Sequence, residues 1–292
     1  MDLKTEIINL YKKTATQLPS DVVFALEQAY NKEESKTSKE ILGKVLENIK
    51  LANEKQKPLC QDTGMGIFYI KYPKEYSRQN LKTIIKEATN EATKIIPLRP
   101  NSVNSLTGEN LGNVPVLHFK EIDNDDKLKI DLIMKGGGSE NVSAVYQLPR
   151  KDLNAHRDLD GVQKCVIDAV FKAQGTGCPP YIVGVAMGSS IEEVAHRSKK
   201  QLLRKLDDIN SIPQLAKLED EILEQINQLG IGPMGMGGTT TALTVKAFSG
   251  IRVPASFFVA VSMSCWCLRR QGISYSILYL VFGILSKIIF KV

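Results

Sequence analysis

An α/β fold with a helical N-terminal lead-in is predicted by three features of this 292-residue sequence. Residues 1 to 57 carry apolar side chains at helical spacing: Ile7, Ile8, Leu10 and Tyr11, then Val22, Val23 and Leu26, then Ile41, Val45, Leu46 and Ile49. Beyond them, β-patterned runs alternate with amphipathic helical ones, giving mixed strands and helices in one architecture. Glycine-rich loops border these elements at 135–141, 184–190 and 230–241, where successive backbone N–H groups can cradle an anion.

Taken in order, the helical lead-in is interrupted near Pro19 and Lys32. GIFYIKY at 66–72 predicts a strand, residues 79–96 a helix, and KLKIDLIM at 127–134 a second strand that runs into Gly136, Gly137 and Gly138. A helix over about 159–174 gives way to Gly175, Gly177 and a Pro-Pro pair. The continuous apolar run YIVGVAM at 181–187 has the pattern of a strand buried on both faces. Ser190 and Glu193 form a capping box for a helix with acids first and bases last, and 216–229 is a further amphipathic helix. No internal repeat and no Gly/Ser linker marks a boundary, so one domain is expected over 1–270, followed by an atypical apolar tail at 271–292.

With 43% hydrophobic and 24% charged residues, the composition is that of a globular protein. The net charge of +6 is spread among nearly as many acids as bases, which gives no footprint for nucleic acid. Its one dense basic run, His196 to Lys205, falls late in a helical pattern and reads as a solvated face. The opening MDLKTEIINLYKKT has scattered charges and no apolar signal core, so a cytoplasmic location is expected. Five cysteines at 60, 165, 178, 265 and 267 are odd in number and widely spaced, which disfavours a disulfide framework.

Cys165 lies on the apolar stripe of its helix with Val162, Val166 and Ala169, and reads as a core thiol. Cys60 in PLCQDTG, Cys178 in GTGCPPY and Cys265 in SMSCWCLRR instead sit in loops or at element ends, where a cofactor can be reached. PLCQDTG allows a structural thiol beside a turn, or a thiolate ligand beside an acid/base carboxylate. Spacing alone does not choose between these. There is no C-x-x-C for structural zinc, and His118, His156 and His196 stand in no nucleophile motif. A G-x-G-x-x-G match at Gly230, Gly232 and Gly235 follows a helix and is interrupted by Pro233, and no P-loop occurs. Any one glycine loop reads most simply as structural, but three of them together with RPN at 99–101 favour a small anionic ligand.

Six motifs occur in order: PLCQDTG, LRPNSVNSLTGEN, KGGGSEN, GCPPYIVGVAMG, GIGPMGMGGTTTALTV and PASFFVAVSMSCW. Together, from about residue 5 to Arg270, the sequence closely resembles the N-terminal, iron–sulfur half of class I fumarases and of L-tartrate dehydratases. The resemblance implies a [4Fe-4S] cluster held by Cys60, Cys178 and Cys265, with one iron left open as a Lewis acid for substrate. It implies Asp62 as the group that exchanges the substrate's carbon-bound proton, and Gln61, Arg99 and the N–H groups around Gly137 as substrate contacts. A guanidinium such as that of Arg99 suits a dicarboxylate.

The implied reaction is reversible hydration of fumarate to malate. The alternatives are L-tartrate dehydration, because no motif reads a second hydroxyl, and a non-catalytic truncated remnant. The family's second, smaller domain is expected on a beta-type partner, in a heterotetramer or other oligomer. Two departures stand out. Where the family pattern has a histidine before proline, this chain has Val253-Pro254. From Gly272 the chain turns apolar; the run from 273 to 290 contains Lys287 and falls short of the ~20 apolar residues that span a membrane. A frameshifted or truncated C-terminus is expected there rather than an anchor.

Overall fold

The computed structural model describes residues 2–123 and 127–276. The described residues divide into two compact units, one of residues 2–17, 52–123, 127–135 and 269–276, the other of residues 18–51 and 136–268.

The lead-in forms three helices, α1 (Leu3–Thr16), α2 (Ser20–Lys32) and α3 (Lys36–Lys55), with breaks where Pro19 and Lys32 predict them. Asp2 starts α1 by accepting the Thr5 N–H at 2.9 Å. Pro19 occupies the N-cap position of α2.

The first unit is built on a four-stranded sheet of order β2-β1-β3-β8, with β1 at Met65–Pro73, β2 at Val116–Ile122, β3 at Lys127–Lys135 and β8 at Arg269–Ser276. β1 and β2 are parallel and their connection carries α4 (Arg78–Ile95), whereas β3 is antiparallel to both β1 and β8. Ile7, Leu10 and Tyr11 of α1 and Leu81, Ile85 and Ala88 of α4 bury the apolar face of the sheet, supplied by Phe68, Ile70, Leu128, Ile130 and Leu132. Tyr11 and Thr89 share a hydroxyl–hydroxyl bond of 3.0 Å that ties the two helices together. Residues 272–276 thus continue the sheet as part of β8. The tail beyond Ser276, including Lys287, lies outside the described residues, and no helix among the described residues is long and apolar enough to cross a membrane.

The second unit has its own mixed sheet, order β4-β7-β5-β6, with β4 at Ala144–Gln147, β5 at Tyr181–Gly188, β6 at Ala242–Ser249 and β7 at Phe258–Ser264. Every residue of β5 is buried. Tyr181, Val183, Val185 and Met187 join the core beneath α6 (Leu159–Ala173) and α8 (Pro213–Gln228), whereas Ala186 joins Val194 of α7 (Ile191–Gln201) on the opposite face. Both faces are covered, and this is why its sequence reads as an unbroken apolar run. The predicted box starts α7, with Ser190 Oγ accepting the Glu193 N–H.

The basic run, which covers the C-terminal half of α7 and the residues just after it, is not simply a solvated face. Arg204 pairs with Asp208 and with the buried Glu219, and Lys199 pairs with Glu140. Glu219 also accepts from Asn210 Nδ2 at 2.7 Å and from the Ala247 N–H at 2.6 Å, so the cation sits in a network that joins α8 to β6.

Candidate active site

In the first unit, PLCQDTG leaves α3 through Gln56, which has a left-handed φ of 52°. The segment is pinned where the Leu59 N–H donates to the Ala15 carbonyl at 2.9 Å. Cys60 and Asp62 follow, both half-buried, with Gln61 exposed between them. Asp62 Oδ1 accepts the Gly64 N–H at 3.0 Å, a local turn that fixes the carboxylate's direction. Gly64 has φ 78°, and a Cβ there would lie 2.9 Å from the Lys135 carbonyl oxygen, so only glycine lets this turn meet the end of β3.

Thr63 joins two motifs that are far apart in sequence. Its buried hydroxyl accepts the Arg99 N–H at 3.0 Å and Asn101 Nδ2 at 3.3 Å. Asn113 completes the frame by donating to the Arg99 carbonyl at 3.0 Å. The structure therefore brings the Gln61–Asp62 segment and the exposed Arg99 together through Thr63. Thr63 itself was not singled out by the sequence reading, although its place between Asp62 and Gly64 offered the signal. Arg269 was missed as well. It is 2% exposed, its Nε and Nη1 have no hydrogen-bond partner among the described residues, and its Nη2 approaches Gly64.

The second unit holds Gly137, Cys178 and Cys265. Gly137 is exposed at the start of the short helix α5 (Gly137–Asn141), so KGGGSEN is a helical turn more than an open loop. Cys178 adopts φ 59°, a strained conformation for a residue with a side chain, and lies directly before the Pro179-Pro180 pair that leads into β5. The Trp266 N–H donates to the Cys178 carbonyl at 3.2 Å, which ties the Cys265 segment to the Cys178 segment.

Tyr181 is buried beside them, donating to the Gln174 carbonyl at 2.7 Å and accepting the Gly177 N–H at 3.1 Å. Burial pushes its phenol up to about 12, with the charges of Cys178 and Cys265 adding to the rise against the opposing Gly177 bond. Two of the three implied ligand cysteines are thus neighbours in one unit, and Cys60 belongs to the other. Cys165 is fully buried in the α6 core, and burial pushes its thiol up to about 12, in keeping with a core role.

Two of the glycine loops are not open anion cradles. GVAMG is largely strand β5, with its backbone in the sheet ladder. The 230–241 loop does form a cradle, but the carboxylate it holds is the chain's own Glu33, which accepts from Thr239 and Thr240. Val253 is 56% exposed, in a loop fastened by Ser256 Oγ donating to the Ser189 carbonyl at 2.6 Å.

No group of three or more His, Cys, Asp or Glu side chains placed to hold a single metal ion occurs among the described residues. A cluster makes a different demand, because each thiolate binds its own iron at a separate corner. Cys60, Cys178 and Cys265 are each free, half-buried thiols, soft donors of the kind that bind iron in such clusters.

The family model for fumarate hydratase (Fumerase) matches residues 4–274. The chain belongs to this family, as the motif resemblance implied. A Geobacillus stearothermophilus protein named "Putative fumarate hydratase class I" is 43% identical over 280 residues, which cover 93% of this chain and 54% of that protein. The chain thus spans about half of that relative's length. A Methanocaldococcus jannaschii protein named "Putative L(+)-tartrate dehydratase subunit alpha" is 38% identical, covering 92% of this chain and 96% of its own. The L(+)-tartrate dehydratase subunit alpha of Escherichia coli K12 is 35% identical, with 91% and 88% covered.

Proposed function

We propose that this chain is the alpha-type part of a [4Fe-4S] hydro-lyase that interconverts fumarate and malate, with a beta-type partner completing the site. The observation that carries the reading is the tie between Cys178 and Cys265, through Trp266 N–H and around buried Tyr181, inside a chain of the fumarate hydratase family. Cys60, Cys178 and Cys265 would hold the cluster, which when bound supplies a Lewis-acidic iron for the substrate's hydroxyl and carboxylate.

The chain's own residues supply the rest. Hydration places a hydroxyl on one carbon of the double bond and a proton on the next. Asp62, oriented through its bond to the Gly64 N–H, delivers that proton and removes it in the reverse direction. Arg99, held by Thr63, pairs with a substrate carboxylate, and Gln61 and the Gly137 region donate to the charge that develops on the neighbouring carboxylate. A cytoplasmic setting keeps the thiols reduced.

L-tartrate dehydration is a second reading. It is favoured by the alpha subunits of that name, which match this chain over nearly their whole length. Anaerobic reconstitution with iron and sulfide, followed by assay of fumarate and of L-tartrate with and without a beta-type subunit, tests both. Malate formed from fumarate only when partner and cluster are both present is the expected result. Turnover of tartrate alone would transfer the assignment to the second reading, and turnover of neither substrate in the complete complex would contradict both.

A further inference from the structure

We infer that Glu33 is a positioning residue for Cys178, acting through the 231–241 loop; this rests on the reading of Cys178 as a cluster ligand. Glu33 caps the C-terminus of α2 and is 3% exposed. Its Oε1 accepts the N–H groups of Ser35 and Thr239, each at 3.1 Å. Its Oε2 accepts the Thr239 N–H at 3.1 Å, the Thr239 hydroxyl at 3.2 Å and the Thr240 N–H at 3.3 Å. No Lys or Arg side chain forms an ion pair with it among the described residues. The buried charge is carried by backbone donors, so the carboxylate and the loop hold each other in place.

The loop is shaped for this one occupant. Gly238 has φ 114°, and a Cβ on it would lie 2.7 Å from Glu33 Oε1. Ser38 Oγ donates to the Gly237 carbonyl at 2.5 Å, a second fastening from the start of α3. The other side of the loop grips the Cys178 segment. The Met234 N–H donates to the Pro179 carbonyl at 2.8 Å, and the Tyr181 N–H donates to the Thr241 carbonyl at 2.8 Å. A Cβ on Gly175 would lie 2.8 Å from the Gly235 Cα, and the Gly175 carbonyl in turn accepts the Cys178 N–H at 3.2 Å. Cys178 is therefore bracketed by a loop whose far edge is anchored on Glu33. Its left-handed backbone persists only while its surroundings impose it.

Glu33→Gln keeps the shape but turns an amide N–H₂ toward backbone N–H donors. Gly238→Ala attacks the same contact from the loop side. The test alkylates the cluster-free full chain with iodoacetamide and follows Cys178 and Cys165 separately by peptide mass spectrometry. It then measures iron loss to a chelator after anaerobic reconstitution. Cys165 is in the core of the same unit and reports general loosening.

In both variants Cys178 alkylation should change by about tenfold, with Cys165 within about twofold of wild type, and iron should leave about tenfold faster, the scale of one lost charge-assisted hydrogen bond. Unchanged Cys178 alkylation, or a rise in step with Cys165, overturns the inference. If Cys178→Ser loses its iron while Glu33→Gln leaves Cys178 alkylation unchanged, the positioning role fails and the ligand assignment stands. If Cys178→Ser keeps its iron, the ligand assignment fails and takes the inference with it.

Discussion

Asp62 is proposed to carry the proton chemistry of the reaction, and its half-buried carboxylate accepts the Gly64 N–H. Asparagine preserves that contact but cannot take a proton. Asp62→Asn is expected to keep full cluster absorbance while lowering kcat by about two to four powers of ten; near-normal turnover would place the base elsewhere. Thr63→Val removes the acceptor for the Arg99 N–H and leaves the thiols untouched. KM for fumarate should rise by roughly five- to 100-fold at unchanged iron content, the cost of an unpaired polar group near the substrate's anchor. A proportional loss of iron would show that Thr63 supports the fold rather than Arg99. Val253 is exposed in this chain, so a histidine there meets no steric barrier. Val253→His, assayed with the beta-type partner, is expected to raise kcat/KM for fumarate by at least about tenfold, which corresponds to one recovered polar contact; an unchanged or lower value would show that valine belongs there. Cys165 was legible as a core thiol because its neighbours at helical spacing are all apolar. Arg269 was not, because nothing local distinguishes a buried arginine from an exposed one in CLRR.

Elements that repeat one strong pattern were legible nearly to the residue. The predicted strand at 66–72 is β1 at Met65–Pro73, that at 127–134 is β3 at Lys127–Lys135, and the helix at 79–96 is α4 at Arg78–Ile95. Three of those missed, β2, β6 and α5, lack such a pattern for physical reasons. β2, VLHFKEI, is an edge strand with no fully buried residue, so it shows no apolar face. β6 carries Lys246 in mid-strand, a residue that reads as exposed until Asp208 is seen 2.9 Å from its ammonium. α5 is built from GGSEN, whose glycines argue for a loop. The three glycine-rich loops together were read as favouring a small anionic ligand, whereas the 230–241 stretch holds the chain's own Glu33, some two hundred residues earlier in sequence. Long-range pairing of this kind leaves no trace in local spacing. The Arg204–Glu219 contact is another instance, and Glu219→Ala, which takes one of two carboxylate partners from the Arg204 guanidinium and the acceptor from the Ala247 N–H, should lower unfolding free energy by about 2 kcal/mol in a denaturant titration. A change under about 0.5 kcal/mol would show the network to be incidental.

At the scale of the whole molecule, the α/β class was legible from strand patterns alternating with helical ones, and the family from six ordered motifs. The division of the chain was not. Its two units interleave in sequence, the first returning at Arg269 to add β8, so no linker marks the boundary. Cys60, Gln61, Asp62 and Arg99 belong to the first unit, and Gly137, Cys178 and Cys265 to the second. Sequence order conceals this arrangement, since strand β8 directly follows the CWCL segment yet pairs with β3, more than a hundred residues earlier. The central claim of the proposed function is that Cys60, Cys178 and Cys265 hold one cluster. Iron and acid-labile sulfide per chain, measured after anaerobic reconstitution of Cys60→Ser, Cys178→Ser, Cys265→Ser and Cys165→Ser, test it most directly. Loss of the cluster in the first three, with wild-type content in Cys165→Ser, is the predicted result. Full iron and sulfide in any one of the first three, or equal loss in Cys165→Ser, would contradict it.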